Sequence, residues 1–352
     1  MSESPPPLRR PTQGVAGQPN AAQPNAAAAS VPQTNTAAPA AQAQAQMPKP
    51  IEQFGDYKLL RKIGQGGMAE VFLATSDRHP GAPPVVIKRL HQELEKNRDA
   101  VDLFLTEADV TLLLDHPNVI RVYDSGEVGN RYYMAMEYVH GKDLEQIWAR
   151  FQQKGTVMPP DIAVHICIEM LKGLQYAHEA KAPSGRKLGI VHRDVTPSNI
   201  YISSTGALKL GDFGVAKLIG MEGWTMAGSL KGKLGYLSPE QVAGEPPSPM
   251  IDLWASGIIL WELITGERAF TGDNELDIML RIKGAKVVKP RKLNRSLTRA
   301  LQSIVMKALH RRERKRYPSA GGFLEALQEY QRKHGKHYTT QELVTELTQH
   351  LS

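Results

Sequence analysis

The segment from His192 to Gly214 limits what this chain can fold into more than any other. It reads His192-Arg193-Asp194-Val195-Thr196-Pro197-Ser198-Asn199, then two short strand-like runs, Ile200 to Ser203 and Leu208 to Leu210, and then Asp212-Phe213-Gly214. Around it, from Gly55 to about Tyr330, β-type runs alternate with helical periods, which marks the folded part of the chain. Residues 1–50 are different. They are mostly Pro, Ala, Gln, Asn and Ser with almost no large apolar side chains, cannot bury enough surface to offset chain entropy, and read as a disordered tail. At the other end, residues 331–352 contain Thr339-Thr340-Gln341-Glu342, a capping-box pattern, followed by Leu343, Leu347 and Leu351 at helical spacing. That predicts a short amphipathic helix packed on the body. No internal repeat is present, so solenoid architectures are set aside.

A second signal lies near the start of the folded region. Tyr57 to Ile63 reads as a strand, followed by Gly64-Gln65-Gly66-Gly67-Met68-Ala69-Glu70-Val71 and a second strand through Phe72 and Leu73. Glycines let backbone amides approach phosphate oxygens without a Cβ in the way. A plain hairpin turn accounts for much of the same pattern, and Ala69 stands where a third glycine would complete the usual motif. The β-rich run Val85-Val86-Ile87 ends in Lys88, and the helical stretch Asn97 to Leu114 carries Glu107. A strand-end lysine held by a helix glutamate presents a fixed cation to phosphates, whereas a solvated helix charge is the other reading of Glu107.

Taken with His192 to Asn199 and Asp212-Phe213-Gly214, these motifs resemble the eukaryotic-like protein kinase family, from about Tyr57 to Ala320. Ser238-Pro239-Glu240 matches the motif closing the activation segment, Asp252-Leu253-Trp254-Ala255-Ser256-Gly257 the buried helix after it, and Arg316 is placed to pair with Glu240. The resemblance implies an α+β, two-lobed fold for residues 55–330: a small antiparallel sheet with one helix, a larger helical lobe, and ATP in the cleft between them. By the same resemblance, whose roles follow the general kinase template, Asp194 accepts the substrate hydroxyl proton, Asn199 and Asp212 ligate Mg²⁺, and Lys88 pairs with Glu107. The residue types suit that chemistry. Magnesium prefers oxygen ligands, and phosphoryl transfer needs positioning and charge neutralisation more than covalent help. The nucleotide site implied runs through Ile63, Gly64, Gln65, Gly66, Gly67, Met68, Ala69, Val71, Val86 and Lys88. It continues at Met136, which guards the back of the pocket, at Glu137 and Val139 of the hinge, at Asp143 near the ribose, and at Tyr201. The wording GQGGMAEVF, the SPEQ ending and LGIVHRDVTPSN are similar to bacterial members.

Composition narrows the setting. Cys167 is the only cysteine, lies in the helical pattern Ile162, Ile166, Met170, Leu174, and reads as core, which together with the absence of disulfides fits a reducing cytoplasm. The longest uncharged apolar stretch, around Leu253 to Trp261, is well short of the ~20 residues that span a bilayer, so a soluble protein is expected. The formal net charge is +7. From Arg281 to Lys336 the lysines and arginines are opposed only by Glu313, Glu325 and Glu329. This is either a solvated helical surface or a docking face for an acidic partner or substrate. Nucleic acid is the poorer candidate, since no zinc-ligand spacing, RNA-binding aromatic signature or helix-turn-helix cue accompanies the charge.

Two departures and one regulatory feature complete the reading. Kinases with an arginine at the position of Arg193 commonly require a phosphate on the activation segment, and Ser229 or Thr225 are the hydroxyls available there; solvation of a loop is the plainer reading of both. Ser/Thr kinases usually carry lysine two residues after the catalytic aspartate and threonine shortly before the Pro-Glu motif. Here Thr196 and Lys233 occupy those positions, so the two types have traded places. The expectation is that Lys233 supplies the γ-phosphate cation with Thr196 as its hydroxyl partner, against the reading of Lys233 as a surface charge beside Lys231. The function expected is a Ser/Thr kinase acting on proteins. A pseudokinase scaffold, motivated by Thr196, and a small-molecule phosphotransferase are the alternatives, and tyrosine specificity is disfavoured by the wording of the catalytic loop.

Overall fold

A computed structural model describes residues 49–182, 184–214 and 233–351. The tail up to Pro48, and Thr225, Ser229 and Lys231, lie outside the described residues. The N-terminal lobe is a six-stranded antiparallel sheet of β1 (Glu52–Phe54), β2 (Tyr57–Gln65), β3 (Ala69–Ser76), β4 (Val85–Leu90), β5 (Val122–Val128) and β6 (Arg131–Glu137), in the order β1-β2-β3-β4-β6-β5. The strand expected to stop at Ile63 runs on to Gln65, because Gly64 and Gln65 still pair with Val71 and Glu70. One helix, α1 (Arg98–Leu112), covers a face of the sheet. Asn97 starts it by accepting the Ala100 N–H, as N-cap asparagines do.

The C-terminal lobe opens with β7 (Gly141–Asp143), α2 (Leu144–Gln153) and α3 (Pro160–Glu179). The hairpin of β8 (Ile200–Ser203) and β9 (Leu208–Leu210) then pairs with β7 in the order β7-β8-β9. After the activation segment come α4 (Pro239–Val242), α5 (Pro249–Thr265), α6 (Glu275–Gly284), α7 (Pro290–Leu293), α8 (Arg299–Ala308), α9 (Ala320–His334) and α10 (Thr340–Leu351). Helix α5 is apolar on nearly all sides and is buried all round, packed on α3 and α8, as such a helix must be. Cys167 is buried in the same core, where burial pushes its thiol up and keeps it protonated. Among the described residues no helix is long and apolar enough to cross a membrane.

The loop after α1 stitches the two lobes together. Ile120 N–H donates to the Leu210 carbonyl at 2.7 Å and Leu210 N–H donates to the Asn118 carbonyl at 2.9 Å, so β9 is tied to the segment that leads into β5. Past residue 330 the helical period continues, with Tyr330 and Gln331 buried, and α9 ends only at His334 before Gly335. The C-terminal extension therefore begins at Gly335. Its helix α10 carries the expected capping box, with Thr339 Oγ1 accepting the Glu342 N–H at 3.3 Å and Glu342 accepting the Thr339 N–H at 2.8 Å. It buries Leu343 and Leu347 in the main core. It also comes so close to the β8–β9 turn that a Cβ on Gly206, where φ is +85°, would overlap the Thr340 carbonyl. The basic segment is less uniform than its sequence suggests. Arg316 turns inward to Glu240, and Arg281, Lys333 and Lys336 pair with Asp277, Glu329 and Glu346.

Candidate active site

Lys88 lies on β4 opposite Val71 of β3 and Met134 of β6. Helix α1 turns Ala100, Val101, Phe104, Ala108 and Thr111 inward, and Glu107 falls within this buried stripe rather than on the solvated side. An inward carboxylate needs a cation, and Lys88 Nζ lies 2.6 Å from Glu107 Oε1. The same ammonium is 2.9 Å from Asp212 Oδ1. Burial works against the charge of Lys88, but Asp212 and Glu107 outweigh it and hold the ammonium well above its ordinary value. Lys88 in turn holds the Asp212 carboxyl below the usual carboxylate range.

The β8–β9 hairpin brings Asp212 to Asn199. Ile200 pairs with Leu210, and one step beyond that register Gly211 N–H donates to the Asn199 carbonyl at 2.9 Å. Asn199 Nδ2 donates to the Asp194 carbonyl at 2.8 Å and to Asp194 Oδ2 at 3.0 Å, which commits both amide hydrogens and leaves Oδ1 as the acceptor. Asp212 retains its second oxygen and is 41% exposed at the side chain. An amide oxygen beside a carboxylate oxygen is the donor set of a hard divalent cation. Among the described residues no group of three or more His, Cys, Asp or Glu is placed to hold a metal.

Two non-glycine residues take the left-handed backbone here: Arg193 at φ +66° and Asp212 at φ +52°. Such strain persists only where the surroundings over-determine it. Phe213 is buried against His192, ring centroids 4.4 Å apart, and Gly214 N–H donates to the His192 carbonyl at 2.8 Å. A Cβ on Gly214 would press on Asp194 Cβ at 3.0 Å and on that carbonyl at 3.2 Å, so the close approach requires glycine. Beneath the His192–Asn199 loop lies Asp252, which the sequence places in the buried helix and not in the site. Its Oδ2 accepts from His192 N–H at 2.8 Å, its Oδ1 from Arg193 N–H at 2.8 Å, and His178 Nε2 lies 2.8 Å from Oδ2. The signal was available: a carboxylate between Ile251 and Leu253 in an apolar helix must be satisfied by something buried.

The glycine loop joins β2 to β3 as a hairpin. Gly66 N–H donates to the Ala69 carbonyl at 2.8 Å, and His91 ties the tip down through its ring to the Gly66 carbonyl at 2.8 Å and its N–H to the Met68 carbonyl at 2.9 Å. Gly67 faces open space. Ile63 lies on β2, Val71 on β3 and Val86 on β4, with Ile63 exposed and Val86 buried. At the hinge, Glu137 N–H is used by the Arg121 carbonyl at 2.8 Å, and Lys209 holds the Glu137 side chain at 2.8 Å. Asp143 is the N-cap of α2, accepting the Gln146 N–H at 2.8 Å, and pairs in register with Tyr201. Burial raises the phenol of Tyr201, with Asp212 and Asp143 adding to it. Met136 packs beside Met134 over α1.

Lys233 Nζ lies 3.0 Å from Asp194 Oδ2. Thr196 is buried and its Oγ1 lies 3.0 Å from Ser198 Oγ, so the hydroxyl is turned to a neighbour in its own loop and not to Lys233. Both nonetheless line one cavity with Asp194, Tyr236 and Leu237. Further in, Glu262 is buried and accepts from Tyr236 OH at 2.8 Å, Ala269 N–H at 3.0 Å and Arg268 Nη1 at 3.3 Å. Burial pushes its carboxyl up to about 7 against the pull of Arg268. A carboxyl whose folded pKa exceeds its unfolded value binds its proton more tightly in the native state. Its contribution is therefore complete below the unfolded value and is lost as pH rises to about 7. Urea unfolding between pH 5 and 8 is expected to show this decline, with a slope of at most about 1.4 kcal/mol per pH unit, and Glu262→Gln is expected to flatten it. An unchanged slope in that variant would assign the decline to other groups.

The chain belongs to the protein kinase family: residues 57–329 match the protein kinase domain, a family that works with ATP and Mg²⁺. It is 35% identical over 285 residues to the tyrosine-protein kinase MasK of Myxococcus xanthus, covering 81% of this chain and 44% of that protein. To the serine/threonine-protein kinase PrkC of Bacillus subtilis it is 34% identical over 269 residues, covering 76% and 39%. The chain thus spans less than half the length of either relative. Among solved structures, the kinase domain of Mycobacterium tuberculosis PknI superposes with a TM-score of 0.60 at 24% identity, covering 79% of this chain and 96% of that domain. That likeness bears on the two-lobed fold.

Proposed function

We propose that this chain is an active serine/threonine protein kinase of bacterial signalling that moves the γ-phosphoryl group of ATP onto hydroxyls of other proteins. The observation that carries this is the continuous set of contacts from Glu107 through Lys88 to Asp212, with Asp194 joined to Asn199 beside it. Lys88 would hold the α- and β-phosphates, kept in place by Glu107. Asp194 would orient the acceptor hydroxyl and take its proton. Asn199 Oδ1 and Asp212 would hold Mg²⁺, which supplies charge neutralisation at the phosphates. The backbone of Glu137 and Val139 would bind the adenine, with the Glu137 N–H already used by the Arg121 carbonyl. Tyr201 would lie under the base, and Asp143 would offer the ribose the oxygen that α2 does not use.

Regulation by phosphorylation of the activation segment, at Ser229 before Thr225, is supported by Arg193. Among the described residues its Nε and Nη1 are buried without a hydrogen-bond partner, and desolvation lowers its pKa against the pull of Asp252, so a phosphate would supply the acceptors they lack. The pseudokinase reading is disfavoured because Lys88, Asp194, Asn199 and Asp212 are all retained and in mutual contact. A small-molecule phosphotransferase fits poorly with the Ser238-Pro239-Glu240 closure, whose Glu240 is locked by Arg316 at 2.5 and 2.9 Å.

The purified chain, incubated with Mg-ATP and a generic protein substrate and then mapped for phosphosites, is expected to give phosphoserine and phosphothreonine. Lys88→Met is expected to lower turnover by about 10²–10³ through loss of the phosphate-positioning cation. Phosphate transfer no greater than in Lys88→Met would sink the reading. Phosphotyrosine alone would replace the acceptor class while leaving the kinase assignment.

A further inference from the structure

The catalytic carboxylate is approached by a cation from outside its own loop. Between Asp194 and Asn199 the chain carries Val195, Thr196, Pro197 and Ser198, none of them positively charged. Lys88, also at the site, is tied to Glu107 and Asp212. Among the described residues, the ammonium of Lys233, thirty-nine residues further along the chain, lies 3.0 Å from Asp194 Oδ2. Its side chain is 35% exposed, so it is held at one end by a carboxylate and remains open to an incoming group. It lines the same cavity as Asp194 and Thr196, and the short, buried Thr196 leaves there the room that a longer side chain would fill.

We propose that Lys233 is a catalytic residue whose ammonium neutralises the γ-phosphoryl oxygens as they meet the hydroxyl that Asp194 holds. The proposal rests on the kinase reading above. In the step it serves, the acceptor oxygen forms a bond to Pγ, the bond from Pγ to the β,γ-bridging oxygen breaks, ADP departs, and the hydroxyl proton passes to Asp194. Lys233 keeps its protons throughout and acts through charge, which an ammonium on a flexible four-carbon stem can deliver to a phosphoryl group arriving beside its carboxylate partner. Thr196, with its hydroxyl on Ser198, has the role of a small wall residue and not of a hydrogen-bond partner to the lysine. The exchange of residue types between the two positions is therefore functional at Lys233 and spatial at Thr196.

Steady-state kinetics with nucleotide affinity measured separately test this. Lys233→Ala is expected to lower kcat by about 10²–10³ while ATP affinity and melting temperature stay near those of the parent. Lys231→Ala is expected to turn over like the parent. Thr196→Lys combined with Lys233→Thr is expected to recover part of what Lys233→Thr loses, because a cation is returned to the same cavity and residues that share a cavity couple non-additively. Parent-like kcat in Lys233→Ala overturns the proposal while leaving the kinase reading intact. So does an equal fall in Lys231→Ala, which would make the effect one of general charge. An inactive parent enzyme would instead strike at the kinase reading itself, which the phosphosite mapping detects first.

Discussion

Asp194→Asn is expected to lower phosphoryl transfer by about 10²–10⁴, the usual range for a positioned general base, while nucleotide binding persists. The two effects separate because they use different groups. The substitution keeps a side-chain oxygen to accept from Asn199 Nδ2, whose second bond goes to the backbone carbonyl and is unaffected. Lys88, Glu107 and Asp212 do not depend on Asp194 for their contacts. What disappears is the negative charge and the capacity to take a proton. The measurement is turnover at saturating Mg-ATP beside calorimetric nucleotide affinity. Undiminished transfer would remove Asp194 from the mechanism, and a parallel loss of affinity would mean that the substitution disturbs the cleft as a whole.

Asp252→Ala is expected to cost about 3–5 kcal/mol of stability, as removal of one partner from a buried polar set does, and to lower activity beyond what unfolding explains. The carboxylate is 1% exposed and receives the backbone N–H groups of His192 and Arg193, with His178 against it. Without it two buried amides beside the left-handed Arg193 lose their acceptor, and each such loss costs about 1–3 kcal/mol. The loop that carries Asp194 would then relax, and a misplacement of ~1 Å at a reacting group can lower the rate by about 10²-fold. Asp252→Asn, which retains one acceptor oxygen, should fall between the parent and Asp252→Ala. Urea unfolding with activity assayed well below the melting temperature checks both parts. If Asp252→Ala unfolds within about 1 kcal/mol of the parent and keeps its turnover, the loop is held by something else.

Most of the site is legible in the sequence because its residues lie in short contiguous motifs whose order along the chain is itself informative. His192 to Asn199 and Asp212 to Gly214 are separated by two strand-like runs, and these are the hairpin β8–β9 that sets Asn199 beside Asp212. Glu107 was ambiguous in sequence, since a glutamate on a helix is ordinarily solvated. Its inward turn became clear only from the stripe of α1 that packs on the sheet. The glycine loop was readable as a hairpin or a phosphate cradle. The Gly66 to Ala69 bond closes it into a hairpin with Gly67 at its open tip, and a strand-turn-strand is also the shape that the phosphate-covering loop of kinases takes.

By itself the sequence determined the local structure and the residue types of the site: the alternation of strands and helices, the cap at Asn97, the capping box at Thr339, and the carboxylates and lysine that phosphate chemistry needs. These follow from side-chain period and from short-range hydrogen bonding, which neighbours in the chain decide between them. Tertiary structure decided which distant groups meet. Asp252 reaches the amides of His192 and Arg193, Lys233 reaches Asp194 while Thr196 turns to Ser198, Arg316 leaves the basic surface for Glu240, and α10 settles against Gly206. No spacing rule encodes those pairs, because each arises where a buried polar group must be satisfied by whatever the packing of remote elements brings within reach.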